Sequence, residues 1–177
     1  MDPFELVQKY GLDAVRYYLL REIPSLDDGD FSFSRMDEIY KSDLSNELGN
    51  LLMRITTLAS KDGLDTSFIK SKTNLFAYKF GNAYAQEFAG FQFNTVLEDI
   101  WKKIKQLNKE TDEFAPWKKA PEERKEFLVS MLDKLYEVGI LLEPLLPDTA
   151  QKILYATYGI LEDKRVIEKT APAFPRI

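Results

Sequence analysis

Apolar residues recur every three or four positions through most of this chain, the spacing that lines one face of a helix. The longest run is Met36, Tyr40, Leu44, Leu48, Leu51, Leu52, Ile55 and Leu58, and it predicts a helix over 34–60. Shorter patterns predict helices over 3–11, with Asp2 as N-cap and Pro3 at the first position, and over 12–22, stopped by Pro24. Further helices are expected at about 75–88, ending near Gly90, and at about 94–108, with Trp101 on the inward stripe. The last two are expected over 121–142, started by Pro121, and over 148–158, capped by Gly159. Between these lie a polar connection at 61–74, a loop at 110–120 that holds Trp117, and an irregular tail from 160. Asp27, Asp28 and Asp30 surround Gly29 as a turn, and the Phe31/Phe33 alternation after it reads as a short extended edge. The pattern as a whole predicts an all-α fold, an antiparallel helical bundle joined by short loops.

Composition narrows the chemistry. The 177 residues carry 45% apolar and 30% charged side chains, suited to one globular core. There is no cysteine and no histidine. Disulfides, thiolate nucleophiles, Cys- or His-ligated metals and His-dependent triads are therefore out of reach. No pair of residues presents itself as catalytic, and although carboxylates alone could still hold a metal, no metal site is expected. The longest apolar run, near 138–142, is far short of a membrane span, and Asp2 and Glu5 stand where the basic region of a signal peptide would be. These features suggest a cytoplasmic protein with no membrane partner. The formal net charge of −5 argues against general nucleic-acid binding, so contact with RNA needs a local patch.

Such a patch has candidates. On the long helix Asn46, Asn50 and Arg54 fall opposite the leucines, with Asn50 and Arg54 adjacent at i,i+4. Taken alone they fit a solvated face. Trp117 follows Pro116 in its loop with Lys118 and Lys119 behind it, and it reads either as a cover over the bundle end or as a stacking platform. Lys102, Lys103, Lys105, Lys109, Arg124 and Lys125 add positive charge nearby, balanced by Glu98, Asp99, Glu122 and Glu123. An amide, a guanidinium and an indole can together pair with and stack on an unpaired base.

Longer runs add a resemblance. Asp2-Pro3-Phe4-Glu5-Leu6 and Tyr10-Gly11-Leu12-Asp13-Ala14-Val15-Arg16-Tyr17-Tyr18-Leu19-Leu20-Arg21-Glu22 resemble the segment after the KMSKS loop of class I aminoacyl-tRNA synthetases. Asp27-Asp28-Gly29-Asp30-Phe31-Ser32, Leu48-Gly49-Asn50-Leu51, Ala115-Pro116-Trp117 and Phe174-Pro175-Arg176-Ile177 narrow it to the bacterial-type methionyl-tRNA synthetases. The resemblance covers nearly the whole chain.

It implies a stem-contact segment at 1–33, an anticodon-binding bundle at 34–160 and a C-terminal return segment at 161–177. Asn50, Arg54 and Trp117 would then read the CAU anticodon of tRNA(Met), chiefly its cytosine. Asn46, Lys102, Lys103, Lys118 and Lys119 are the candidate RNA-backbone contacts. The partners would be the anticodon stem-loop and the catalytic domain of the parent ligase, with no DNA. The HIGH signature, the KMSKS loop and the zinc-binding insert are missing, so the chain reads as a fragment, inactive alone and without cofactor. ATP, Mg and zinc would belong to the missing catalytic part. A surface around Phe31, Phe33 and Phe174 is expected to be exposed by that separation. Met53 stands where the family often has a polar residue. Two alternatives stay open, the anticodon module of another class I synthetase and a helical protein-interaction scaffold.

Overall fold

The computed structural model describes residues 2–26, 28–65, 83–157 and 166–175. The expected helix start near 75, the Gly159 cap and Arg176-Ile177 lie outside the described residues.

Two short helices open the chain, α1 (Pro3–Tyr10) and α2 (Leu12–Glu22). Asp2 caps the first by accepting from the Phe4 N–H at 2.9 Å. Gly11 turns the chain between them at φ +85°, a conformation that a side chain resists.

A continuous helical path then runs through α3 (Phe33–Ile39), a π-helical stretch (Tyr40–Gly49) and α4 (Asn50–Lys61). In the π stretch the backbone reaches one residue further back: the Asn50 N–H donates to the Ser45 carbonyl. The sequence supplies a reason. Met36, Tyr40, Leu44 and Leu48 are spaced by four, which on an α-helix of about 100° per residue drifts by roughly 40° a step. A wider turn removes part of that drift. All four side chains are at most 2% exposed, as are Leu51, Leu52 and Ile55.

The extended edge expected at Phe31 and Phe33 does not form. Ser32 caps α3 instead, its Oγ accepting from the Arg35 N–H at 3.3 Å, and Phe33 becomes the first helical residue. Phe31 folds inward against the Tyr18 ring, centroids 4.7 Å apart.

Among the described residues the remaining α-helices are α5 (Ala83–Ala89), α6 (Phe93–Phe114), α7 (Pro121–Leu142) and α8 (Pro147–Thr157). The helix expected to end near 108 therefore continues to Phe114. Leu107 and Thr111 extend its buried stripe, and the Thr111 hydroxyl donates to the Leu107 carbonyl at 2.7 Å. The connecting loop shrinks to Ala115–Ala120 around a 3-10 turn (Pro116–Lys118).

Helix α6 packs against α2, α5, α7 and the π stretch, and α7 against α4 and α8. Their buried faces form one core, which α1 and α2 share through Leu6, Tyr10, Tyr17 and Tyr18. Trp101 lies in it at 1% exposure, 4.3 Å from the Tyr17 ring centroid. Helix α2 also ties down the α7–α8 corner: Arg16 Nε donates to the Leu145 carbonyl at 2.8 Å, and Asp13 accepts from the Thr149 N–H at 2.6 Å at the start of α8.

The described return segment, 166–175, runs back along the long helix. Ile167 N–H donates to the Leu64 carbonyl at 2.8 Å, and Tyr40 donates its hydroxyl proton to the Pro175 carbonyl at 2.7 Å. Phe174 is consequently buried, edge-on to Tyr40, and drops out of the expected exposed surface. Phe33 stays exposed and Phe31 is half-buried. Among the described residues no helix is long and apolar enough to cross a membrane.

Candidate nucleic-acid interface

Asn50 and Arg54 occupy the first two turns of α4. Burial of Leu48, Leu51, Leu52 and Ile55 turns the 46/50/54 stripe outward. Asn46 is exposed, and Asn50 and Arg54 are half-buried. The Asn50 side-chain Nδ2 stands 3.5 Å from Asn46 Oδ1, a stretched contact at the edge of hydrogen bonding.

Trp117 comes from the other side, on the turn that ends α6. Ala115 adopts a left-handed conformation, φ +50°, which stops the helix and brings Pro116 to the start of the 3-10 turn. Trp117 is 46% exposed. Its ring lies under the Arg54 guanidinium, whose central carbon is 4.7 Å from the ring centroid. Arg54 Nη2 also donates to Asp112 Oδ1 at 2.6 Å. The structure thus joins Arg54 to Trp117 directly, with Asn50 one turn along the same stripe.

The turn is held from beneath by Arg124, which is 5% exposed. Its guanidinium forks onto both oxygens of Asp62, at the end of α4. Its Nη1 donates to the Pro116 carbonyl at 3.2 Å and the Lys119 carbonyl at 2.9 Å. Arg124 therefore leaves the basic patch in which the sequence places it and becomes the anchor of the Trp117 loop. Phe114 is half-buried and stacks on Phe127 with ring centroids 4.1 Å apart, and Lys119 Nζ lies 5.1 Å from the Phe114 centroid.

The candidate backbone contacts divide. Lys118 and Lys119 flank Trp117. Lys102 lies roughly 18 Å down α6 from Phe114, at about 1.5 Å per residue. Lys102 and Lys103 line a groove of about 410 Å³ between α6 and α7, together with Glu110, Lys134 and Glu137. Lys102 donates to Asp99 at 2.9 Å, and that hydrogen bond raises its pKa. The flank of α6 nearest Arg54 carries other residues. Lys105 reaches Glu47 at 3.8 Å, Asn108 bonds the Glu47 carbonyl at 3.0 Å, and Asp112 holds Arg54. Burial raises the Glu47 pKa, with Lys105 opposing. Asp112 escapes sequence reading because 110–120 looks like a loop; once the helix expected to end near Asn108 continues to Phe114, the i,i+4 spacing puts Asn108 and Asp112 on one flank.

The family model for class I tRNA synthetases (M) matches residues 1–56, which include Asn50 and Arg54. The methionine–tRNA ligase of Caldanaerobacter subterraneus subsp. tengcongensis is 36% identical over 92% of the chain. That of Bacillus subtilis is 32% identical over all of it. This chain is similar, over nearly its whole length, to a segment of the methionine–tRNA ligases. It spans 27% and 31% of the length of those two relatives. Among solved structures, the free form of Mycobacterium tuberculosis methionyl-tRNA synthetase superposes with a TM-score of 0.73 at 26% identity, covering 100% of this chain and 41% of that one. The same enzyme bound by methionyl-adenylate gives 0.74 at 27% identity, covering 99% and 40%. The all-α architecture is thus shared with a segment of these ligases.

Proposed function

We propose that this chain is the anticodon-binding part of a methionine–tRNA ligase and that Asn50, Arg54 and Trp117 read the cytosine of a CAU anticodon. The observation that carries the reading is the Arg54–Trp117 pair, which unites a helix residue and a loop residue at one exposed spot. Cytosine presents an amino donor and two acceptors on its pairing edge. Arg54 supplies donors only, matching the acceptors, and the Asn50 amide can donate or accept. Trp117, 46% exposed, offers the base an aromatic surface to stack on.

The reading also meets the charge problem. A net charge of −5 does not prevent a short contact at Lys118 and Lys119, beside the stacking ring. In this account the chain works by binding alone, without cofactor. ATP, Mg and any zinc act in the catalytic domain of the ligase, to which selective anticodon binding presents the right tRNA in the cytoplasm.

A salt series separates this from a protein-binding scaffold. Affinity for a CAU stem-loop should fall steeply as salt rises, because phosphate contacts release counterions. Absence of RNA binding at low salt would overturn the proposal.

A further inference from the structure

Hydrogen bonds join the long helix to α6 on either side of Asn50. On one side Asn108 Nδ2 donates to the Glu47 carbonyl at 3.0 Å. On the other Arg54 meets Asp112 at 2.6 Å. The same Asn108 amide donates to the Ile104 carbonyl of its own helix at 3.1 Å, so its orientation is fixed from both sides. Glu47 sits in the last turn of the π stretch, three residues before Asn50, where backbone bonding changes from the long to the ordinary reach. We infer that Asn108 is a positioning residue for anticodon recognition: by holding the Glu47 carbonyl it fixes the rotation at which α4 leaves the π stretch, and so aims Asn50 and Arg54 at the Trp117 ring.

A π-helical turn is an irregular one, and the stripe that follows takes its rotation from where the irregularity ends. Lys105 reaches the Glu47 side chain over 3.8 Å on flexible bonds and sets no direction. The Asn108 amide grips the main chain, whose rotation the side chains of α4 share. Base reading depends on donors placed within a fraction of an ångström, whereas phosphate attraction does not. Loss of Asn108 should therefore remove base preference and leave salt-dependent binding in place.

This inference rests on the anticodon reading above. The test uses the 177-residue chain, its Asn108→Asp and Asn108→Ala variants, and two stem-loops, one CAU and one with the cytosine changed. Asp has the shape of Asn but donates nothing, and Ala removes the amide altogether. The wild type should prefer CAU. Both variants should lose about tenfold of that preference, the worth of roughly one misplaced hydrogen bond. They should still melt cooperatively and bind both loops with an unchanged salt slope. A merely structural role would lower stability and leave the ratio between loops intact, and that result would overturn the inference. A wild type with no preference would overturn the anticodon reading, and the inference with it.

Discussion

The Arg54 guanidinium lies over the Trp117 ring, its central carbon 4.7 Å from the ring centroid, although 62 residues separate the two in the chain. Planarity matters in this contact, because a guanidinium can lie flat on an indole while its edge still donates. Arg54→Lys keeps the charge and loses the fork. It should leave the salt slope of RNA binding unchanged and cost about 1–2 kcal/mol of CAU affinity. Fluorescence anisotropy at two salt concentrations checks both halves.

Arg124 holds the Trp117 turn from a buried position. Arg124→Met strands the Asp62 carboxylate, whose side chain is 4% exposed, and should destabilise the chain by about 3–5 kcal/mol in urea unfolding. Adding Asp62→Leu should restore much of the lost stability, since the orphaned charge goes with it. The double variant still lacks the donors to the Pro116 and Lys119 carbonyls, so its RNA binding should stay impaired after the fold recovers.

Gly139 marks the close crossing of α7 and α8. A Cβ there would stand 3.0 Å from Leu154 Cδ2 and 3.1 Å from Ile153 Cγ2. Inside an exposed helix Gly→Ala stabilises by about 1 kcal/mol. Here overpacking reverses the sign, and Gly139→Ala should cost about 1 kcal/mol net in chemical denaturation.

Glu47 supplies a pH dependence. Burial raises its pKa above the ordinary 4.5, more than Lys105 lowers it. A carboxyl whose folded pKa is raised contributes stability that is complete below the unfolded value and is lost as pH rises through the folded value. Glu47→Gln does not titrate. Its melting temperature should therefore gain on that of the wild type as pH rises from about 4 to 7. A constant difference across that range would show that Glu47 titrates normally in the fold.

The helices were largely legible because long amphipathic stripes are a strong signal. The bounds of α2 and α7 follow from Pro24, Pro121 and the leucine spacing. Asn50, Arg54 and Trp117 were findable as outward residues with base-reading chemistry. What joins them was not. The end of α6 hid in the polar run Asn108-Lys109-Glu110-Thr111-Asp112, where Thr111 serves as a core residue, and Asp112 was hidden with it. Arg124 reads as one more surface cation until the fold brings Asp62 to it across 62 positions. The π stretch left a trace in the four-residue spacing from Met36 to Leu48, but an α-helical wheel accommodates that spacing too. Local periodicity reveals which face a residue takes; a contact between distant segments requires the fold.

The central claim is that Trp117, with Arg54 beside it, forms a seat for cytosine. The most direct test is binding of a CAU anticodon stem-loop and of one with the cytosine changed, at low salt, to the wild type and to Trp117→Ala. The account predicts a clear preference for CAU in the wild type and its disappearance in the variant, with a loss of about 1–3 kcal/mol for the cognate loop. Equal binding of both loops by the wild type, or a preference that survives in Trp117→Ala, would contradict it.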